Sequence, residues 1–175
     1  MRGLSLIGER NLLALCLMAR DAPPGDLLEV GVYKGGSAVK LAEVARDQCR
    51  RLWLFDTFTG IPERTDGLDT CQIGDFGDTN VEEVRARVPD ALIVVGEASE
   101  TLPATDTGPL AFAHLDCDQY ATYRACIVEL SPRMVRGGIM WFDDADHLAG
   151  AKQAVDEMFG DRLKQHDCGK FYVRF

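Results

Sequence analysis

A chain of 175 residues is long enough for one domain that buries about 70% of the surface its unfolded form exposes, so no metal or disulfide staple is needed. Its 46% hydrophobic and 27% charged residues are those of an ordinary soluble globular protein. A net charge of −9, with no Lys/Arg run beside aromatic residues, argues against a nucleic-acid partner. Six cysteines without C-x-x-C spacing argue against a zinc site or a disulfide framework and point to a reducing cytoplasm.

The first apolar run, Leu12 to Ala19, is too short to span a bilayer and is followed by Arg20 and Asp21 without a signal-peptide cleavage pattern. Leu12, Leu13, Cys16 and Leu17 recur at helical spacing and predict a helix buried on that face. Pro23, Pro24 and Gly25 break the chain, and Leu27-Leu28-Glu29-Val30-Gly31 reads as a short buried strand ending in glycine. Ala38, Leu41, Ala42 and Ala45 then give a helix with one apolar face, and Leu52 to Phe55 a second strand. Two strands joined through such a helix form a right-handed crossover, so the sheet is expected to be parallel.

The pattern continues with apolar runs at Ala91 to Val95, Leu110 to Leu115 and Gly138 to Phe142, and with helical stretches near Val81 to Val88 and Tyr120 to Leu130. An amphipathic helix carries Ala151, Ala154, Val155, Met158 and Phe159. The chain closes on a hairpin between Leu163 to Asp167 and Lys170 to Phe175, with Gly169 at the turn and an antiparallel last strand. A single domain over 1–175 is expected, interrupted by one long loop over 57–80. That loop is rich in glycine, aspartate and threonine without apolar periodicity, and it reads as a functional lid.

Acidic residues follow the predicted strands: Glu29, Asp56, Asp116 with Asp118, and Asp143 with Asp144. In an open α/β sheet the carboxyl ends of parallel strands form the ligand crevice, so these carboxylates are expected to converge on a site that favours cations. The turn Glu29 to Ser37 lies between strand and helix. It matches neither G-x-G-x-x-G, since Tyr33 takes the second glycine position, nor the P-loop pattern. A ligand with ammonium or sulfonium charge suits it better than a phosphate, and Asp56 is placed to accept from a ribose diol.

The stretches LLEVGVYKGGSA, LWLFDTFTGIPE, AFAHLDCDQY, PRMVRGGIMWFDDA and GAKQAVDEMF together resemble the macrocin O-methyltransferase family of class I S-adenosylmethionine-dependent enzymes. The resemblance covers most of the chain, with Gln119 and Ala145 standing where the family commonly has leucine and an aromatic residue. It implies a Rossmann-like α/β three-layer sandwich with a mostly parallel seven-stranded sheet and an antiparallel last strand. It also implies methyl transfer from S-adenosylmethionine to a hydroxyl with bound Mg2+. Carried onto this chain, the metal ligands are Asp116, Asp143 and Asp144, the general base is Asp118, and Glu29, Gly31, Ser37 and Asp56 belong to the cofactor pocket. Asp116 borders that pocket as well.

Several readings remain open at this stage. Asp143 and Asp144 are adjacent, so both reach one ion only if the backbone leaves the extended conformation after Phe142; Asp144 otherwise caps the following helix. Asp118 is either a base, sharing a strand face with Asp116, or an N-cap before Tyr120. His147 is a rival base, and His114 reads equally as a hydrogen-bonded core residue. Ser99 either touches the adenine edge or caps a helix. The expected partner is a hydroxyl-bearing small molecule such as a sugar, with no nucleic acid and no membrane, and the acceptor pocket is completed by loop 57–80 or by a neighbouring subunit in a homo-oligomer. A metal-dependent hydrolase and a non-catalytic module with the same fold are the alternatives.

Overall fold

In the computed structural model, which describes residues 4–175, four parallel strands end at one level, and this places the site. These are β1 (Asp26–Val30), β2 (Leu52–Asp56), β4 (Leu110–Leu115) and β5 (Met134–Phe142), with β3 (Leu92–Val95) at the edge. Val30 pairs with Phe55 and with Leu115, and Leu115 with Phe142. The next residue on each strand is therefore brought to the same rim of the sheet.

The hairpin of β6 (Lys164–Gln165) and β7 (Phe171–Arg174) completes a seven-stranded sheet in the order β3-β2-β1-β4-β5-β7-β6. Here β7 runs antiparallel to both neighbours, and Gly169 turns the hairpin with φ +101°. This is the mostly parallel seven-stranded arrangement, with an antiparallel last strand, that the family resemblance implies. Helices α1 (Glu9–Asp21), α2 (Gly36–Asp47) and α3 (Val81–Arg87) cover one face; α4 (Ala98–Ala104), α5 (Tyr120–Leu130) and α6 (Ala149–Phe159) cover the other. Alternate sheet residues feed the two cores, Leu28, Val30 and Met140 into one and Leu27, Ile139 and Trp141 into the other.

Three expectations are corrected. On α1 the buried face is Ala14, Leu15, Met18 and Ala19, whereas Leu13 and Leu17 are 60% and 56% exposed. The run is apolar on nearly every side, so spacing does not identify its inner face. Helix α4, signalled in the sequence only by the capping alternative for Ser99, places Ser99 inside the helix: it is 7 residues long, contains Pro103, and buries only Ala98 and Leu102. Strand β5 begins at Met134 rather than Gly138, because Gly137 (φ +81°) and an irregularity in pairing with β4 carry the strand through a stretch without apolar alternation. All six cysteines are free, and no helix among the described residues is long and apolar enough to cross a membrane.

Gly31 is the tightest point of the rim. A Cβ there would lie 1.7 Å from the Asp116 carbonyl oxygen, and its φ is +86°. Gly31→Ala combines overpacking with left-handed strain and is expected to cost about 3 kcal/mol, read as a lowered urea midpoint at unchanged m-value.

Candidate active site

The strand ends open onto a cavity of about 300 Å³. Its lining includes Gly31, Ser37, Asp56, Ser99, Asp116, Asp118, Asp143, Asp144 and His147, so nearly every residue singled out from the sequence reaches one space. Glu29 is not among them. It pairs with His114 across the β1–β4 register, and its Oε1 lies 2.9 Å from His114 Nδ1, both side chains fully buried. Glu29 thus sits beneath the cavity rather than in its wall.

On the β1–β2 side, Asp56 organises the glycine turn. Its Oδ2 accepts the Val32 and Tyr33 amides at 2.6 and 2.8 Å, and its Oδ1 accepts Phe58 N–H at 2.7 Å. These bonds hold the left-handed residues Tyr33 (φ 51°) and Phe58 (φ 53°). Ser37 is buried in the first turn of α2. Ser99 is exposed inside α4, whose N-cap is Glu97, so the capping alternative for Ser99 does not hold.

On the β4–β5 side, Asp116, Asp143 and Asp144 each offer an oxygen within 4.8 Å of the others. The chain leaves the extended conformation directly after Phe142, as joint reach requires. Asp144 Oδ2 accepts the Asp118 amide at 3.0 Å and lies 2.9 Å from the Tyr123 hydroxyl, which leaves Oδ1 directed elsewhere. Asp144 does not cap α6, whose N-cap is Leu148.

Asp118 does not share a strand face with Asp116, because β4 stops at Leu115 and Asp118 turns back with φ +61°. Nor does it cap α5. The N-cap is Gln119, and the Tyr120 amide is instead capped from the long loop by Asp69 Oδ1 at 2.9 Å. Gly150 makes room for that carboxylate, since a Cβ there would lie 2.4 Å from it. The other flank of the loop is tied to the glycine turn by Tyr33 and Lys34 on Asp78 and by Tyr33 packed edge-on to Phe76. The loop residues Thr57, Gly60, Ile61, Pro62 and Phe76 border the cavity.

The electrostatics follow from crowding. Burial, and then the neighbouring Asp144 and Asp143, push the Asp116 carboxyl well above its ordinary value. Burial and Asp143 raise Asp144, and burial and Asp144 raise Asp118 to about 8. Asp143 goes the other way: burial opposes ionisation, but His114 and Lys170 outweigh it and hold the carboxyl below the usual range. His114 is pulled down by burial and up more strongly by Asp143 and Glu29, reaching about 10. His147 stands at the rim, its side chain 53% exposed, with Nδ1 2.8 Å from Asp146 and Nε2 4.0 Å from Asp144.

Two participants had no signal in the sequence. Lys170, read only as part of a terminal strand, is buried against Asp143 and Asp146. Tyr123 is buried between Leu115 and Asp144, its hydroxyl 2.8 Å from the Leu115 carbonyl. Neither is identifiable without the tertiary contacts that bring β7 and α5 to the rim.

Two outcomes are expected from this geometry. Asp118 and His114 keep their protons to about 8 and 10 in the folded protein, against 3.8 and 6.5 for the free groups, so the native state binds more protons than the unfolded chain across that window. Stability of the cation-free protein therefore falls as pH rises, while Asp143 and Asp146, with lowered values, act only at more acidic pH. Thermal melts in EDTA should show a lower Tm at about pH 8.5 than at about pH 6; a Tm rising across this interval would contradict the crowding. Separately, Gly150→Ala should displace Asp69 and speed proteolysis within 57–80, measured by limited digestion, with little change in the cleavage of other segments.

The family model described as macrocin-O-methyltransferase (TylF) matches residues 2–167. A Streptomyces olivaceus protein, 8-demethyl-8-(2,3-dimethoxy-α-L-rhamnosyl)-tetracenomycin-C 4'-O-methyltransferase, is 34% identical over 80% of this chain and 62% of its own length. Demethyldecarbamoylnovobiocin O-methyltransferase of Streptomyces niveus is 31% identical over 77% of this chain and 58% of its own. The chain thus spans about three fifths of these relatives. Among solved structures, the O-methyltransferase NovP superposes with a TM-score of 0.83 at 24% identity, over 98% of this chain and 81% of that one, and the calicheamicin methyltransferase CalS11 with 0.79 at the same identity and coverage. The acidic rim, the glycine turn and the strand order are thus set within a chain that belongs to the macrocin-O-methyltransferase family.

Proposed function

We propose that the protein transfers a methyl group from S-adenosylmethionine to a hydroxyl of a sugar-bearing small molecule, with a divalent cation, Mg2+ by preference, held at Asp116, Asp143 and Asp144. The observation that carries this reading is the placement of those three carboxylates within 4.8 Å of one another on the same cavity as the Asp56-organised glycine turn. Like charges so close are unfavourable without a cation, and an all-oxygen donor set suits a hard ion. Family membership and the sugar-modifying names of the relatives favour transfer to a sugar hydroxyl over hydrolysis.

S-adenosylmethionine supplies a methyl group on a sulfonium centre, and a divalent cation supplies the positive charge that acidifies an acceptor hydroxyl. The chain's own residues do the rest. Gly31 leaves the turn open for close approach of the donor, Asp56 presents carboxylate oxygens toward its ribose, and Ser37, Ser99 and Asp116 border the same pocket. Asp118, bordering the cavity beside Asp144, is the base that would take the acceptor hydroxyl's proton; burial and Asp144 hold its carboxyl near 8 in the cation-free cluster, and a bound cation would favour its ionised form. His147 at the rim, with Nε2 4.0 Å from Asp144, is the alternative base. Glu29 acts from below, through His114, on the placement of Asp143. Loop 57–80 closes over the reacting groups and excludes water.

Calorimetric titration with S-adenosylmethionine, in magnesium and in EDTA, tests the donor pocket; binding in neither condition would sink the reading. Asp56→Ala should weaken that binding by about 10- to 100-fold. Asp143→Asn should leave donor binding intact and lower turnover of a sugar acceptor by at least about 100-fold, with loss of magnesium dependence. Normal turnover by that variant would rule out the cation site.

A further inference from the structure

Lys170 is the one ammonium buried at the acidic rim among the described residues. It immediately precedes β7, is 4% exposed, and borders the cavity. Its Nζ donates to the Asp143 main-chain carbonyl, lies 3.0 Å from Asp146 Oδ1 and 3.2 Å from Asp143 Oδ2. Two of the ammonium's three protons are thus taken by hydrogen bonds within the chain, and the charge also forms an ion pair with the Asp143 carboxylate.

The two oxygens of Asp143 face two different nitrogen groups. Oδ2 meets Lys170, and Oδ1 lies 3.8 Å from His114 Nε2. Asp116 and Asp144 have no lysine or arginine within 4.0 Å among the described residues, and Asp144 Oδ2 is held by the Asp118 amide and the Tyr123 hydroxyl, both neutral. One of the three candidate ligands is thus balanced in advance, while the other two are not.

We propose that Lys170 is a built-in counter-ion of the cation site: its ammonium fixes the Asp143 carboxylate and main chain when no divalent ion is bound, and keeps the acidic cluster assembled for the ion. The proposal rests on the cation-site reading above, deepens it, and makes Lys170 a positioning residue. Removing one member of a buried pair strands the other charge, whereas removing both relieves it, so the role is measurable without turnover.

The experiment is a set of thermal melts in EDTA and in saturating Mg2+ for the parent protein, Lys170→Met, Asp143→Asn and the double variant. Lys170→Met should lower Tm in EDTA by about 10 °C. Adding Asp143→Asn should recover most of that loss in EDTA, because no buried charge is left to balance. Mg2+ should raise the Tm of Lys170→Met by more than it raises the parent's, since the ion takes over the neutralising role. Equal losses in EDTA and Mg2+, with no recovery in the double variant, would overturn the proposal and reduce Lys170 to packing. A parent Tm unmoved by Mg2+ would instead remove the cation-site reading and the proposal with it, whereas a parent stabilised by Mg2+ with no recovery in the double variant would overturn the counter-ion role alone. If Lys170→Met is too unstable to purify, a double variant that folds supports the proposal and one that does not overturns it.

Discussion

Mutual repulsion among carboxylates at the ends of β4 and β5 is the constraint on which the rest of the site depends. Asp116, Asp118, Asp143 and Asp144 share one rim, and burial leaves little solvent to screen them. A fold tolerates that arrangement only when each group is paired with a neighbouring nitrogen, hydrogen-bonded or protonated. All three solutions are present. Lys170 and His114 flank Asp143, the Asp118 amide and the Tyr123 hydroxyl hold Asp144, and Asp116 and Asp118 hold protons more tightly than free carboxyls do.

The backbone is shaped to serve this crowding. Tyr33, Phe76 and Asp118 adopt left-handed φ values of 51°, 61° and 61°, and all three border the cavity. Non-glycine residues hold such conformations where surrounding contacts over-determine them. For Tyr33 the contact is Asp56 on its amide. The carboxylate proposed to meet a ribose is also the one that sets the glycine turn, so in that proposal binding and backbone geometry are not separable.

The long loop is part of the same construction. It is ordered by bonds at both flanks, Asp78 to Tyr33 and Lys34 at the glycine turn, and Asp69 to the α5 amide at the acidic side. Its hydrogen bonds fall largely on main-chain donors and on polar residues, which is why its composition reads as irregular while its fold is specific.

The succession of strands and helices along the chain, the parallel crossovers and the recurrence of acids after strands were legible from the sequence, because buried parallel strands read as short apolar runs and the chemistry of an α/β sheet lies at their carboxyl ends. Asp56, Asp116, Asp143 and Asp144 were therefore identifiable from position alone. The inner face of α1, the extent of α4 and the start of β5 were not, since uniform apolarity, a proline and a glycine pair erase the periodicity that would mark them. Roles that depend on contact between distant segments belonged to the tertiary structure. Only packing decided that Glu29 faces His114 rather than the cavity, that Asp69 and not Asp118 caps α5, and that Lys170 reaches Asp143 from 27 residues away. The physical reason is the range of the information: periodicity and residue type report a neighbourhood of a few positions, whereas the charge state of a buried group is set by whatever the fold brings within a few ångströms of it.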